Sequence, residues 1–149
     1  MRSHDGLELV RVATGEQILK ENEIRRVVFI IEQKVDPVLE FDEFESGSVH
    51  FLLLKEGEPI GCSRYRWEGD SIKLERFAIL KEERGKGYGR FIIECMLEEV
   101  LPLGPRRIFL HSQTSAAGFY GRFGFEPTGE IFDEANIDHV KMIYKGKEK

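Results

Sequence analysis

The stretch Arg84-Gly85-Lys86-Gly87-Tyr88-Gly89 decides the fold, because it joins a segment typical of a strand to one typical of a helix. Residues 72–80 before it form a mainly apolar run, and residues 91–100 after it repeat apolar side chains at helical spacing. The glycines leave backbone N–H groups unobstructed, and a helix N-terminus carries partial positive charge. With the three cations Arg84, Lys86 and Arg90, the stretch is suited to a phosphate or pyrophosphate group.

Two well-known nucleotide loops do not fit this spacing. The Walker pattern needs Gly-Lys followed by Ser or Thr, and no such sequence is present. The Rossmann fingerprint needs a glycine where Arg90 stands, three residues after Gly87. Taken alone, the stretch therefore predicts either a phosphate-binding loop of another kind or a plain turn from strand to helix.

A second motif, Ala117-Gly118-Phe119-Tyr120-Gly121-Arg122-Phe123-Gly124-Phe125, follows downstream. Together the two resemble the acetyl-CoA motifs of the GNAT superfamily of N-acetyltransferases. The first family motif is a strand followed by Arg/Gln-x-x-Gly-x-Gly/Ala, which Arg84, Gly87 and Gly89 match. In the second motif Gln113 stands where Asn is usual, and Ala117 is one place from the commonest spacing.

The resemblance extends over nearly the whole chain and is strongest to the small ElaA/YjcF-like branch. Residues 28–33, Glu40-Phe41-Asp42 and His139-Val140-Lys141-Met142 resemble that branch. It implies acetyl transfer from acetyl-CoA to an amine, with no metal. The residues that it assigns to acetyl-CoA are Phe77, Ala78, Ile79, Arg84, Gly85, Lys86, Gly87, Tyr88, Gly89, Arg90, Gln113, Phe119 and Tyr120.

Tyr120 is the predicted acid, since the family places this tyrosine near the sulfur of CoA. The alternative interpretation is that Tyr120 is a core aromatic side chain packed beside Phe119 and Phe123. The oxyanion donor is predicted to be a backbone N–H of residues 77–79, which also bind the pantetheine arm.

The general base has three candidates: Glu75, His139 and Glu32. Alternation along the strand places Glu75 on the face of Phe77 and Ile79, where apolar neighbours would raise its pKa. The alternative for Glu75 is an ion pair with Arg64 or Arg66. His139 is a candidate because histidine, as a residue type, titrates near neutrality.

The acidic segment, residues 40–45, has two interpretations. By the resemblance it borders the acceptor site, where its charge would favour a cationic amine. Alternatively it is a solvated loop held by Phe41 and Phe44. Residues 64–67 alternate arginine with aromatic side chains, which predicts a hairpin with one face in water. Arg76 is interpreted as a structural residue.

The order of elements is predicted as β-α-β-β-β-α-β-α-β-β, a single domain over residues 1–149. The first helix begins at a capping box, Thr14 with Gln17, and ends near Val35 because Asp36-Pro37 disfavours helical backbone. The expected class is α/β (α+β): a GNAT fold with a mixed sheet of about seven strands and about four helices.

Composition limits the function classes. The chain has 149 residues and a net charge of −5, which argues against a nucleic-acid binder. No apolar run approaches the roughly 18 residues of a membrane helix, and nothing resembles an export signal, so the cytoplasm is expected. Cys62 and Cys95 lack metal-type spacing and are expected to be buried thiols.

The predicted partners are therefore acetyl-CoA and an amine acceptor, with no nucleic acid and no membrane. A small-molecule amine is the expected acceptor. The alternatives are a protein lysine or N-terminus, or a CoA-binding sensor without catalysis. The family resemblance also makes a homodimer possible.

Overall fold

The computed structural model describes residues 3–4 and 6–146. The strands are β1 Ser3–His4, β2 Leu7–Arg11, β3 Val49–Lys55, β4 Glu58–Glu68, β5 Ser71–Ile79, β6 Ile108–Gln113, β7 Phe125–Glu134 and β8 Ile137–Tyr144. The α-helices are α1 Gly15–Arg25, α2 Pro37–Glu40, α3 Tyr88–Val100 and α4 Ala117–Gly121. A π-helix, Arg26–Glu32, continues α1, and short 3₁₀ turns cover Lys81–Glu83, Leu101–Leu103 and Thr114–Ala116. No helix in this part of the chain is long and apolar enough to cross a membrane.

The strands form one mixed sheet in the order β1-β2-β3-β4-β5-β6-β8-β7. Every neighbouring pair is antiparallel except β5 and β6, which α3 connects as a parallel crossover. Within the described residues, and apart from the two-residue β1, the sheet has seven strands, and four α-helices accompany it. The predicted mixed sheet of about seven strands with about four helices is confirmed.

Helices cover both faces of the sheet and bury a core on each. On one face, Ile92 and Met96 of α3 pack against Leu74 and Leu110. On the other, Ile24 of α1 and Val28 belong to a smaller cluster with Leu52, Cys62 and Ala78. Both cysteines are buried and outside any disulfide, as predicted.

The first helix begins where the sequence predicts, but its last turns are π-helical rather than α-helical. Thr14 and Gln17 form the complete capping box. The α-helical hydrogen bonding, however, changes to π-helical at Arg26. Asp36 then caps the short helix α2, whose first residue is Pro37, so the predicted loop begins with a helical turn.

The parallel pairing of β5 with β6 is short, and this creates the site. Only three register pairs join them, from Ile72↔Ile108 to Leu74↔Leu110. Beyond Leu74 and Leu110 the two strands have no pairing with each other, and we call the space between them the strand gap. The edge of β5 from Glu75 to Ile79 therefore offers its backbone groups to a ligand rather than to a strand.

A β-bulge in β5 changes which side chains share a face. The register between β4 and β5 shifts between Cys62 and Arg64, and Arg76 takes a left-handed backbone conformation at φ +60°. After this extra residue, Phe77 and Ile79 pack on the α3 side, whereas Glu75 bonds Arg64 beneath the acidic segment. The prediction that Glu75 shares their face is wrong, because the bulge reverses the alternation.

Candidate active site

The glycine stretch forms an open cradle at the start of α3. Gly85 and Gly87 have φ values of +78° and +84°, and an added Cβ at either would meet no described atom within 4 Å. No described side chain caps α3. The first N–H groups of the helix therefore point into open space with the positive end of its dipole, as a pyrophosphate requires.

The three basic residues of the cradle have different surroundings. Lys86 and Arg90 are exposed, and each contacts a single carboxylate at 3.2 Å, on Glu83 and Glu94 respectively. Such exposed pairs are weak, so both cations are free to reach a phosphate.

Arg84, by contrast, is fully engaged. Its Nε donates to the carbonyl oxygen of Ile79 at 2.8 Å, and its Nη1 and Nη2 donate to the two carboxylate oxygens of Glu32 at 3.0 Å each. The sequence assigned Arg84 to acetyl-CoA and Glu32 to the base candidates. The structure pairs them with each other, so Arg84 holds the end of β5 in place.

The two motif segments meet at Gly89. An added Cβ there would lie 3.2 Å from Cζ of Phe119, so a glycine allows α4 to pack closely against α3. The ring of Tyr88 packs against the core and lies 5.6 Å from Nζ of Lys55. The Tyr88 ring is therefore part of the core packing beside the cradle.

Tyr120 lies beside the strand gap and is reached from both faces of the sheet. Its ring contacts those of Phe77 and Phe119, with centroid distances of 5.9 and 5.1 Å, and it also lines the cleft on the opposite face. Burial raises the pKa of its phenol well above the usual value. At neutral pH the hydroxyl is therefore protonated and can donate a hydrogen bond or a proton.

A cleft of about 710 Å³, which we call the central cleft, opens over the strand gap. Its walls come from the end of the π-helix, the acidic segment, β5, β6 and the β7–β8 hairpin. Gln113, on its floor, donates from Nε2 to Oε1 of Gln33 at 2.8 Å. Gln113 therefore stands in the cleft, where it holds the chain that follows the π-helix.

Two histidines and one glutamate lie together in the central cleft. His139 is held by a 2.7 Å contact between Nδ1 and the carbonyl oxygen of Ile137, which requires a proton on Nδ1. Its Nε2 lies 3.7 Å from Glu134, whose other oxygen is 3.1 Å from Nδ1 of His111. The contacts leave Nε2 of His139 with a lone pair that can accept a proton.

Glu75 has very different surroundings from those predicted. Its carboxylate accepts from Arg66 at 2.6 Å, Arg64 at 3.0 Å and Arg76 at 3.3 Å. Burial acts to raise its pKa, but the charges of Lys73, Arg64 and Arg76 hold the pKa below its usual range. The prediction of a raised pKa is wrong, and the ion-pair alternative describes the contacts.

Three of the four carboxylates in the acidic segment are engaged by arginines, whereas Glu43 is exposed. Asp42 bonds Arg64 and Arg76, Glu40 bonds Arg25 at 2.7 Å, and Glu45 bonds both Arg25 and Arg64. Arg25 and Arg64 are completely buried. Because a buried charge needs a partner, these carboxylates serve the arginines beneath them.

The family model described as the acetyltransferase (GNAT) domain matches residues 16–145, nearly the whole chain. This chain belongs to the GNAT acetyltransferase family. It is therefore an acyltransferase.

Three similar proteins support the assignment. The uncharacterized N-acetyltransferase YjcF of Bacillus subtilis is 33% identical over 134 residues, 89% of this chain and 96% of its own. The crystal structure of Escherichia coli ElaA has a TM-score of 0.83 at 23% identity and covers 93% of this chain and 99% of its own. A GNAT acetyltransferase from Elizabethkingia anophelis with acetyl-CoA bound has a TM-score of 0.70 at 17% identity, covering 94% and 96%. The predicted family and its ElaA/YjcF-like resemblance are confirmed.

Sequence reasoning missed His111, Glu134 and Gln33 as parts of this GNAT site. His111 precedes Gln113 by two residues, so strand alternation alone places both on one face of β6. Glu134 had no comparable signal, because its position depends on the turn between β7 and β8. There Ala135 and Asn136 both adopt positive φ, at 53° and 64°.

Proposed function

We propose that this GNAT acyltransferase moves the acetyl group of acetyl-CoA to a primary amine of a small molecule, by direct attack while both are bound. One observation carries the proposal: the strand gap opens beside a cleft that contains Tyr120 and His139, and β5, which borders this gap, leads on to the glycine cradle. Donor and acceptor can therefore meet from opposite sides of the sheet.

The cradle fits the pyrophosphate of acetyl-CoA. It offers the free N–H groups of α3, two mobile cations and glycine positions without steric obstruction. Beyond it, Leu80 donates its N–H to Ile60 of β4, so strand alternation turns the N–H groups of Ile79 and Phe77 toward the gap. These amides would bind the pantetheine arm and stabilise the oxygen of the acetyl group as it gains charge. Because Arg84 already bonds the carbonyl oxygen of Ile79, only the N–H group of Ile79 would bind the pantetheine arm.

His139 is the base that the geometry favours. An alkyl amine with a pKa of about 10.4 is neutral only about once in 2,500 molecules at pH 7, which corresponds to about 4–5 kcal/mol. The contact of Nδ1 with Ile137 fixes the tautomer of His139 and leaves Nε2 to take this proton, directly or through water. Glu75 is bonded by three arginines and has a lowered pKa, so it is a poor choice for the role.

Tyr120 supplies the proton for the departing thiolate. Its hydroxyl is neutral, and its ring is held beside Phe77, where the reacting carbonyl would lie. An ordinary phenol, with a pKa near 10, is already a reluctant acid toward a thiol near 8.5, and burial raises the pKa of Tyr120 further, so the gain from this step is modest.

The size of the central cleft favours a small acceptor. Its volume of about 710 Å³ lies within the range of about 300–1,000 Å³ typical of small-molecule sites. A protein lysine or N-terminus would instead need an open groove for the flanking chain.

An acceptor screen tests the proposal. Purified protein, acetyl-CoA and a panel of amino sugars, polyamines, amino acids and peptides are assayed for released thiol. Small amines should release thiol, and initial-rate patterns should intersect because both substrates bind before reaction. Turnover with peptides alone would favour a protein acetyltransferase. Tight acetyl-CoA binding without turnover on any amine would favour a non-catalytic sensor.

A further inference from the structure

Lys73 is a buried cation that opens into the central cleft. It lies on β5 with 9% of its surface exposed, and it lines the cleft. Its nearest carboxylate is that of Glu75, at 4.0 Å from Nζ. Within the described residues Lys73 has no hydrogen bond, although burying an ammonium group is costly unless it is paired.

Glu75 cannot neutralise Lys73 well, because the same carboxylate is already shared. Arg64, Arg66 and Arg76 all bond it at 3.3 Å or less. Arg64 and Arg76 have further carboxylate partners in the acidic segment, but Arg66 does not. The other carboxylate near Arg66 is that of exposed Glu68, at 3.9 Å.

Among the described residues, Lys73, and Arg66 beyond its bond to Glu75, therefore have unused hydrogen-bond donors at one end of the cleft, although carboxylates such as Glu134 also line it. Lys73 and Arg66 both line the cleft and share one carboxylate with two other cations. Arg66 is held rigid, because Nε is bonded to Glu75 and the guanidinium lies 3.9 Å from the ring centre of Phe44. An anion that enters there would gain the fixed guanidinium of Arg66 and the ammonium group of Lys73 as donors.

The opposite end of the same cleft holds the reacting groups. Lys73 pairs in register with Phe109, and His111 follows two residues later on the same face of β6. Phe77, beside the predicted reaction centre, lies four residues from Lys73, about 13 Å or less along an extended strand. One small molecule can thus reach from the cationic end to the catalytic end.

We infer that the acceptor carries a carboxylate as well as its amine, and that Lys73, assisted by Arg66, binds the carboxylate. The acceptor class is then the amino acids, with the amine directed toward His139. This inference rests on the proposed function, because it names the substrate of the same site.

Matched pairs of amines test the inference. Each pair is an amino acid and the amine left after removal of its carboxylate: phenylalanine with phenethylamine, leucine with isopentylamine, and lysine with cadaverine. The ratio of kcat/KM within each pair is measured for the wild type, Lys73→Met, Lys73→Arg and Lys141→Met. Lys141 is the control, since it lies over Phe109 on the same face but outside the cleft lining.

The wild type should prefer the carboxylated member of at least one pair by about tenfold or more, as one charged hydrogen bond provides. Lys73→Met should abolish that preference, whereas Lys73→Arg and Lys141→Met should keep most of it. A wild type that favours the plain amines, or a preference that survives Lys73→Met, would overturn the inference and leave the proposed function intact.

A binding measurement separates this failure from failure of the proposed function. If no amine is turned over, calorimetry of the same amino acids with CoA-saturated protein still reports on Lys73. Binding that Lys73→Met removes would support the anion site while the transferase proposal fails. Equal binding, or none, in both proteins would overturn the carboxylate site as well.

Discussion

Glu75→Gln is expected to destabilise the fold far more than the same substitution of a solvent-exposed glutamate would. The substitution keeps the shape of the side chain but removes the charge that three arginines bond at 2.6–3.3 Å. Breaking a buried ion pair from one side costs about 3–5 kcal/mol. For a chain of this length that corresponds to a fall in Tm of about 6–20 °C.

Urea unfolding followed by circular dichroism measures the loss, with Glu68→Gln as the matched control. Glu68 lies on the neighbouring strand, is largely exposed, and approaches Arg66 only to 3.9 Å. Its substitution should change the free energy of unfolding by less than about 0.5 kcal/mol. If Glu75→Gln were as stable as Glu68→Gln but inactive, Glu75 would be a catalytic group and our reasoning about the arginines would be refuted.

Three further variants examine other parts of the site. Tyr120→Phe should lower kcat by about tenfold to a hundredfold with little change in the Kd of acetyl-CoA, because only the proton donor is lost; an unchanged kcat would exclude it as the acid. His139→Gln should lower kcat/KM by a factor of about 10²–10⁴ at pH 7. The activity of this variant should recover as pH rises, because the amine then loses its proton unaided. A pH–rate profile parallel to that of the wild type would exclude His139 as the base. The third variant is His50→Gln. The ring nitrogens of His50 contact two acceptors, the Glu21 carboxylate at 2.8 Å and the carbonyl oxygen of Glu45 at 2.9 Å. Burial acts to lower the pKa of His50, but these hydrogen bonds raise it above the usual value. Its stabilisation is therefore complete below the unfolded pKa of about 6.5 and is lost as pH rises through the higher folded value. The difference in unfolding free energy between wild type and His50→Gln should shrink above pH 6.5, and a pH-independent difference would contradict this.

The sequence was sufficient for the parts of the fold that depend on local signals. The Thr14–Gln17 capping box, the glycines at the start of α3 and the Asp36-Pro37 stop all act within a few residues. The two family motifs also singled out the glycine stretch and Tyr120, because both motifs occur at recognisable spacing.

The bulge at Arg76 could not be predicted, because a single inserted residue leaves no sequence pattern. Arg76 is a non-glycine residue at positive φ, held there by bonds to the Leu39 and Glu40 carbonyls and to Asp42. Those contacts join segments distant in sequence, and without them strand alternation gives the wrong face for Glu75.

The buried arginines escaped prediction for a related reason. Arg64 and Arg66 alternate with aromatic residues, which predicted a hairpin with one face in water. In the structure the acidic segment folds over that face and neutralises it, so Arg64 is completely buried. Charge patterns show which partners are possible, but only the tertiary fold decides which pairs form and exclude water.

Binding of acetyl-CoA to the glycine cradle tests the central claim most directly. Calorimetry compares wild type, Gly87→Glu and Gly69→Glu; both glycines have positive φ and open space around them, but Gly69 lies in the β4–β5 turn. The cradle account predicts that wild type and Gly69→Glu bind acetyl-CoA alike, and that Gly87→Glu binds it at least about tenfold more weakly, because its carboxylate would occupy the phosphate position. Equal affinity of Gly87→Glu and Gly69→Glu would show that the cradle is only a turn.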